Sequence, residues 1–147
     1  MAKLQNQLAK KIPVWRKDIS GLVKKHGAKK ISDVTMAQAY GGMRGIKCMV
    51  CDTSEVPPDK GLLIRDIPLA KLVDKTPEDT FYLLCTGELP NARDRKALTD
   101  ELAERAKVPG YVWKVLEAMP KNSHPMCMLD TAILCMQRES KFVKAYN

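Results

Sequence analysis

The chain has 147 residues, 45% of them apolar and 29% charged, values that fit one globular domain and exclude a disordered, collagenous or disulfide-stapled chain. Its formal charge of +8 raises a nucleic-acid reading, but the excess sits at one end, where residues 1–30 hold nine of the 25 Lys and Arg and one of the 17 acids. The rest of the chain is neutral.

In that first segment Lys3, Lys10, Lys11, Arg16, Lys17, Lys24, Lys25, Lys29 and Lys30 interleave with Leu4, Leu8, Ile12, Trp15, Ile19 and Leu22 at steps of three and four. The spacing predicts an amphipathic helical segment over 1–30 that docks by its apolar stripe and keeps a solvated basic face. Pro13 cannot donate to a helical hydrogen bond, so it predicts a break into two short helices, with Gly27 as the stop. Membrane-surface, transit-peptide and polyanion roles are the competing uses of such a segment.

Thr35 with Gln38 three residues on is a capping box for a brief helix through Tyr40, which Gly41 and Gly42 end. Ile46 to Thr53 and Gly61 to Arg65 then read as two strands of a small β-hairpin, joined by the turn Pro57-Pro58-Asp59-Lys60-Gly61. Residues 31–66 therefore form a short helix and hairpin, and residues 67–147 a helical body. In that body Asp66 precedes a helical start at Ile67-Pro68, Thr76-Pro77-Glu78-Asp79 opens a helix that Gly87 stops, Asn91 opens one running to Lys107, and Pro109 opens one to Met119. A last helix, from Pro125 to about Tyr146 behind an Asn122-Ser123 cap, is apolar on every side near its start and needs cover all round. The fold class is mostly α with a small β-hairpin.

Five cysteines, Cys48, Cys51, Cys85, Cys127 and Cys135, form an odd set with no signal-peptide core before them, which points to a reducing compartment. Cys48 and Cys51 have the spacing of zinc and redox sites. In a strand, however, residues three apart face opposite sides and no second pair completes a zinc set, so they read as packing residues, as do Cys127 and Cys135. No metal site is expected. His26 before Gly27 and His124 before Pro125 both read as helix-end residues, with no nucleophile beside either. Gly41-Gly42-Met43-Arg44-Gly45 offers backbone amides and a guanidinium, a weak phosphate-binding pattern by itself. No apolar run is long enough to span a bilayer.

Several segments, taken in order, resemble the citrate synthase family, most closely the branch that includes the mitochondrial enzymes. They are Lys25-His26-Gly27, Val34-Thr35-Met36, Tyr40-Gly41-Gly42-Met43-Arg44-Gly45, Asp52-Thr53-Ser54, Phe81 to Pro90, which is similar to an "LLxTGxxP" segment, and Ser123-His124-Pro125-Met126, similar to an "HPM" helix start. Where that branch usually has Arg-Gly after the second strand, this chain has Arg65-Asp66.

The resemblance implies the N-terminal part of a helical large domain with the small domain absent, in an enzyme that condenses acetyl-CoA with oxaloacetate to citrate and CoA. It implies acetyl-CoA as a substrate and no prosthetic group. Arg44 matches the arginine that helps bind the coenzyme A 3′-phosphate. No catalytic residue transfers, because the segments resembling "SDHE", "PLHG" and "GYGHAVLR" do not occur. The chain alone is therefore expected to be inactive, as a fragment or one piece of a split enzyme. The helices over 109–119 and 125–146 match those that pack across a homodimer interface. A non-catalytic dimerisation or interaction module is the alternative, and no nucleic-acid or membrane partner is expected. Bacterial cytoplasm is the expected location, with the mitochondrial matrix as its alternative.

Overall fold

The computed structural model describes residues 3–146, Lys3 by its backbone alone. Met1, Ala2 and Asn147, at the ends of the expected first and last segments, lie outside the described residues. Among the described residues there are seven α-helices and one three-stranded antiparallel sheet, in agreement with the mostly helical reading. The chain divides into a unit that ends at Leu102 and a second that begins at Ala103.

In the first unit α1 runs unbroken over Lys3–His26, with Pro13 inside it. The expected division into two helices is incorrect. Proline in a helix interior costs about 3 kcal/mol, but most of the residues on either side are good helix formers. The helix is also anchored near the proline: Lys11 Nζ donates to the Thr86 carbonyl at 3.0 Å and pairs with Glu88 Oε1 at 2.6 Å. That carbonyl lies at the C-terminus of α3 (Pro77–Thr86), where helix geometry leaves carbonyls free and favours a cation. Gly27 closes the helix by donating to the Val23 carbonyl at 2.7 Å, in a conformation where a Cβ would lie 2.5 Å from that oxygen, so no other residue fits there without a shift.

Helix α2 (Met36–Tyr40) carries the full Thr35/Gln38 capping box. The sheet is smaller and later than the sequence implies: β1 (Ser54–Glu55), β2 (Leu63–Ile64) and β3 (Ile67–Pro68), in the order β1-β2-β3. Ile46 to Thr53 is not a strand, and Ile67-Pro68, expected to begin a helix, pairs with β2 before a single 3₁₀ turn at Leu69–Lys71. Tertiary pairing overrides local preference here, because Leu63 is buried and its partner strand must follow it. The expected turn between the first two strands is present, with Gly61 N donating to the Pro57 carbonyl at 3.1 Å.

The β2–β3 connection has two residues, Arg65 at φ 48° and Asp66 at φ 65°. Positive φ at both positions is the type I′ pattern, which favours Asn or Asp followed by Gly. Arg65 is held there by its side chain, which donates to the Leu84 carbonyl at 2.8 and 3.3 Å and pairs with Asp52 at 2.9 Å. Those bonds tie the sheet to α3.

Helix α3 begins at a Thr76/Asp79 capping box and ends at Gly87 in the left-handed region. Asp79 is buried, accepts from the Thr76 amide at 3.1 Å and pairs with Arg95 Nε at 2.5 Å, on α4 (Ala92–Arg105). Burial pushes the Asp79 carboxyl up, but the bonds from Arg95 and Thr76, with the arginine's charge, outweigh it and hold it below the ordinary carboxylate value. The buried Thr86 hydroxyl accepts from the Glu88 amide and lies within donating reach of the Tyr82 and Glu88 carbonyls, so the helix end is closed. Leu63, Leu72, Tyr82, Leu83 and Leu98 are the buried apolar residues of this unit.

The second unit is built on α5 (Gly110–Ala118) packed against α6 (Pro125–Cys135). Tyr111 Oη donates to the Cys135 carbonyl at 3.1 Å and satisfies one end group of α6. The expected single helix from Pro125 to Tyr146 is incorrect: α6 tightens into a 3₁₀ turn at Met136–Glu139, and a separate α7 follows at Lys141–Tyr146. Ser140 makes the break. Its backbone is extended and its hydroxyl accepts from the Val143 amide at 3.3 Å, the geometry of an N-cap. The start of α6 is also capped differently from the expectation, by His124 rather than Ser123, with Nδ1 accepting from the Met126 amide at 3.2 Å.

Candidate functional site

Arg44 stands on the turn that follows α2. Gly41 N donates to the Ala37 carbonyl at 2.8 Å and Met43 N to the Gln38 carbonyl at 2.8 Å, which folds the chain back over the helix end. The turn then uses positive φ at Gly42 (83°), Met43 (60°) and Gly45 (76°), so Arg44 is flanked by two left-handed residues. Glycine accepts that conformation without cost, whereas Met43 adopts it against a penalty of roughly 1 kcal/mol.

Gln38 joins this turn to the helix start. Its side-chain oxygen accepts from the Thr35 amide at 3.0 Å while its nitrogen donates to the Arg44 carbonyl at 3.2 Å. The capping box therefore also fixes the backbone of Arg44. The guanidinium itself is exposed and, among the described residues, has no hydrogen bond or ion pair. An always-charged planar donor held at a turn, with no internal partner, is free to take a phosphate or carboxylate.

The other sequence candidates separate. His124 is occupied as the cap of α6, and His26 is exposed in the last turn of α1. Cys48 and Cys51, read as packing residues in a strand, lie in an irregular segment and are both exposed. Cys127 is exposed and Cys135 half-buried, so neither fills the core of its unit. The strand behind the Cys48 and Cys51 reading is absent, while Cys127 and Cys135 lie on α6, whose cover the described residues do not supply. Among the described residues no cluster of three His, Cys, Asp or Glu side chains could hold a metal, and no helix is long and apolar enough to cross a membrane.

One feature of the second unit had no single motif to announce it. Between α5 and α6 lies a groove of about 270 Å³ walled by Val112, Trp113, Leu116, Leu129, Ile133 and other apolar side chains. No residue of α6 is buried, although the helix is apolar along most of its length. The all-round apolar pattern was its signal, and the cover it calls for is not supplied among the described residues.

The family model described as "Citrate synthase, C-terminal domain" matches residues 42–147. The mitochondrial citrate synthase of Saccharomyces cerevisiae is 38% identical over 97% of this chain and 32% of its own length. The peroxisomal citrate synthase of the same yeast is 37% identical over 97% of the chain and 33% of its length. A probable mitochondrial citrate synthase of Glossina morsitans morsitans is 36% identical over 99% of the chain and 34% of its length. The chain thus spans about a third of the length of these curated relatives.

The expected bacterial cytoplasmic location is overturned by these relatives, which are mitochondrial and peroxisomal enzymes of eukaryotes. The physical signals behind that expectation do not discriminate: free thiols suit any reducing compartment, and a basic helix that docks by Lys11 is compatible with all of them. With the family model covering most of its length and the relatives aligning along nearly all of it, the chain belongs to the citrate synthase family.

Proposed function

We propose that this chain serves the condensation of acetyl-CoA with oxaloacetate to citrate and CoA, as a catalytically incomplete part of a citrate synthase. The observation that carries the reading is Arg44, a partnerless guanidinium fixed on the glycine turn within the region that the family model matches. In this role Arg44 binds the 3′-phosphate of coenzyme A by its fork of N–H donors, and the reacting groups come from other residues of the complete enzyme. No group held by the protein is consumed, since the acyl carrier is itself a substrate. The relatives' names favour a mitochondrial setting.

The second half of the proposal is a homodimer formed through α5 and α6. Its support is the apolar groove and the exposure of Met126, Leu129, Ile133 and Leu134 on a helix with no polar face. Burying such side chains is worth about 25 cal/mol per Å² of apolar surface, so a second copy is a strong driving force for pairing.

The assay is thiol release from acetyl-CoA in the presence of oxaloacetate. The purified 147-residue chain is expected to give none. Turnover by this chain alone overturns the proposal, because the enol-stabilising and ketone-polarising histidines would have to be His26 and His124, of which the latter is committed to a helix cap. That same commitment favours the second reading, a dimerisation module with no chemistry of its own. It predicts that Arg44→Ala leaves coenzyme A binding unchanged, whereas the first predicts that the variant loses the preference for coenzyme A over its 3′-dephospho form.

A further inference from the structure

Residues 46–50 adopt no regular structure, and among the described residues no hydrogen bond holds the backbone of 47–50. This segment, between the Arg44 turn and β1, carries Cys48 and Cys51, both exposed and both free. Each thiol has its own surroundings. Cys48 lines a cleft with Lys29, Lys30 and Lys47, of which Lys30 is paired with Asp33. Cys51 lies 3.3 Å from the Thr53 hydroxyl and 3.5 Å from the Ser54 carbonyl, in a shallow pocket with Asp52, Glu55, Arg65 and Asp66.

We propose that Cys48 and Cys51 are a reversible redox pair, oxidised to an intramolecular disulfide by a low-molecular-weight disulfide of the glutathione class. The two-residue spacing is that of thiol–disulfide exchange sites, and here it stands in a segment free to bend. Four extended residues hold their first and last Cα atoms about 10 Å apart. A disulfide needs them within about 7 Å, so the bond requires the segment to fold into a turn. No helix or strand has to open for that. The hydroxyl of Thr53, and after it the Ser54 and Thr53 backbone groups, lower the Cys51 thiol to about 7. Near neutral pH Cys51 is thus substantially thiolate, the form that attacks.

The exchange balances without any further reactant. The Cys51 thiolate attacks one sulfur of the small disulfide, whose S–S bond breaks to release one glutathione thiolate, which takes a proton from water. The Cys48 thiol then loses its proton to solvent and attacks the Cys51 sulfur of the mixed disulfide, releasing the second glutathione. Two electrons pass from the cysteine pair to the small disulfide. The lysines beside Cys48 attract the carboxylates of that peptide, while Asp52, Glu55 and Asp66 oppose it near Cys51, where Arg65 is the single cation in the same pocket. Oxidation draws the chain between the Arg44 turn and β1 into a tighter bend.

The test incubates the 147-residue chain with glutathione disulfide at neutral pH, blocks free thiols by alkylation and maps the peptides by mass. The expected product has lost two hydrogens and carries a Cys48–Cys51 link that excess reduced thiol removes. Cys48→Ser is expected to stop at a mixed disulfide on Cys51. Free glutathione provides the comparison, and Cys51 is expected to alkylate about threefold faster than that ordinary thiol at pH 7, the gain in thiolate outweighing its lower nucleophilicity. The proposal is overturned if glutathione accumulates on both cysteines with no link between them, or if both react no faster than free glutathione and stay reduced.

Discussion

Asp79 and Ile133 show how differently the two units are finished. The first unit buries a carboxylate at 1% exposure and satisfies it through the Thr76 amide and Arg95, while the second leaves an aliphatic side chain 54% exposed beside an apolar groove. In the first, α1 and the sheet are tied to α3 by side chains that reach its carbonyls: Lys11 to Thr86, Arg65 to Leu84. In the second, Tyr111 makes one such tie and the surface of α6 is open. The first unit is not fully covered either: the expected docking of α1 by its apolar stripe is incomplete, with Ile19 and Leu22 each 65% exposed, so its ties are mainly polar. A unit whose apolar face is uncovered draws its stability from whatever covers it.

Each unit carries one tryptophan, Trp15 in the first and Trp113 in the second, so urea unfolding of single-tryptophan variants reads them separately. The largest contrast is expected from Leu83→Ala and Leu134→Ala. Leu83 is fully buried, and its truncation should cost the first unit about 3 kcal/mol. Leu134 is 74% exposed in the single chain, and its truncation should cost under about 0.5 kcal/mol unless the residue is covered in solution. A large loss from Leu134→Ala places it in an interface.

Next in size is Asp79→Ala, which removes half of the α3 capping box and leaves Arg95 unpaired, for roughly 2 kcal/mol at neutral pH. Because the folded-state pKa of this carboxyl is lowered, its contribution is fully present above the unfolded value near 4 and fades as pH falls toward the folded value. The difference between wild type and Asp79→Ala should therefore hold from pH 6 to about pH 5 and shrink as urea titrations are taken below about pH 4. A difference that stays constant would mean that the carboxylate charge is irrelevant.

Ser140→Ala should cost about 1 kcal/mol of local stability and loosen α7 without altering the first unit, as read by amide exchange. The smallest effect has the opposite sign. Asp66 occupies a left-handed, exposed turn position, and Asp66→Gly should raise the urea midpoint by the equivalent of roughly 0.5 kcal/mol. A loss instead would show that the Asp66 carboxylate has a partner in solution that offsets its strain.

Much of the first unit was legible because its signals are local. Thr35 with Gln38, Thr76 with Asp79, and Gly87 mark helix ends by side-chain chemistry that acts within one turn. Pro13 misled for a tertiary reason: the stabilising anchor is Lys11 on the end of α3, some 75 residues away. The strand expected at Ile46 to Thr53 followed from composition alone, while pairing fell to Ser54–Glu55 against Leu63–Ile64. In the second unit Ser140 was a readable cap that the preceding apolar run obscured. The site divides the same way. Arg44 was singled out through its motif, but the bond from Gln38 that fixes its backbone, and the exposure of Cys48 and Cys51, depend on contacts and openings that spacing does not encode.

The central claim is that the uncovered face of α5 and α6 is an interface between two copies. Sedimentation equilibrium of the wild-type chain beside Ile133→Asp tests it most directly, with circular dichroism confirming that both retain their helices. The account predicts a wild-type dimer and a variant monomer with the unfolding of Trp15 unchanged. A folded wild-type chain that sediments as a monomer at every concentration would contradict it.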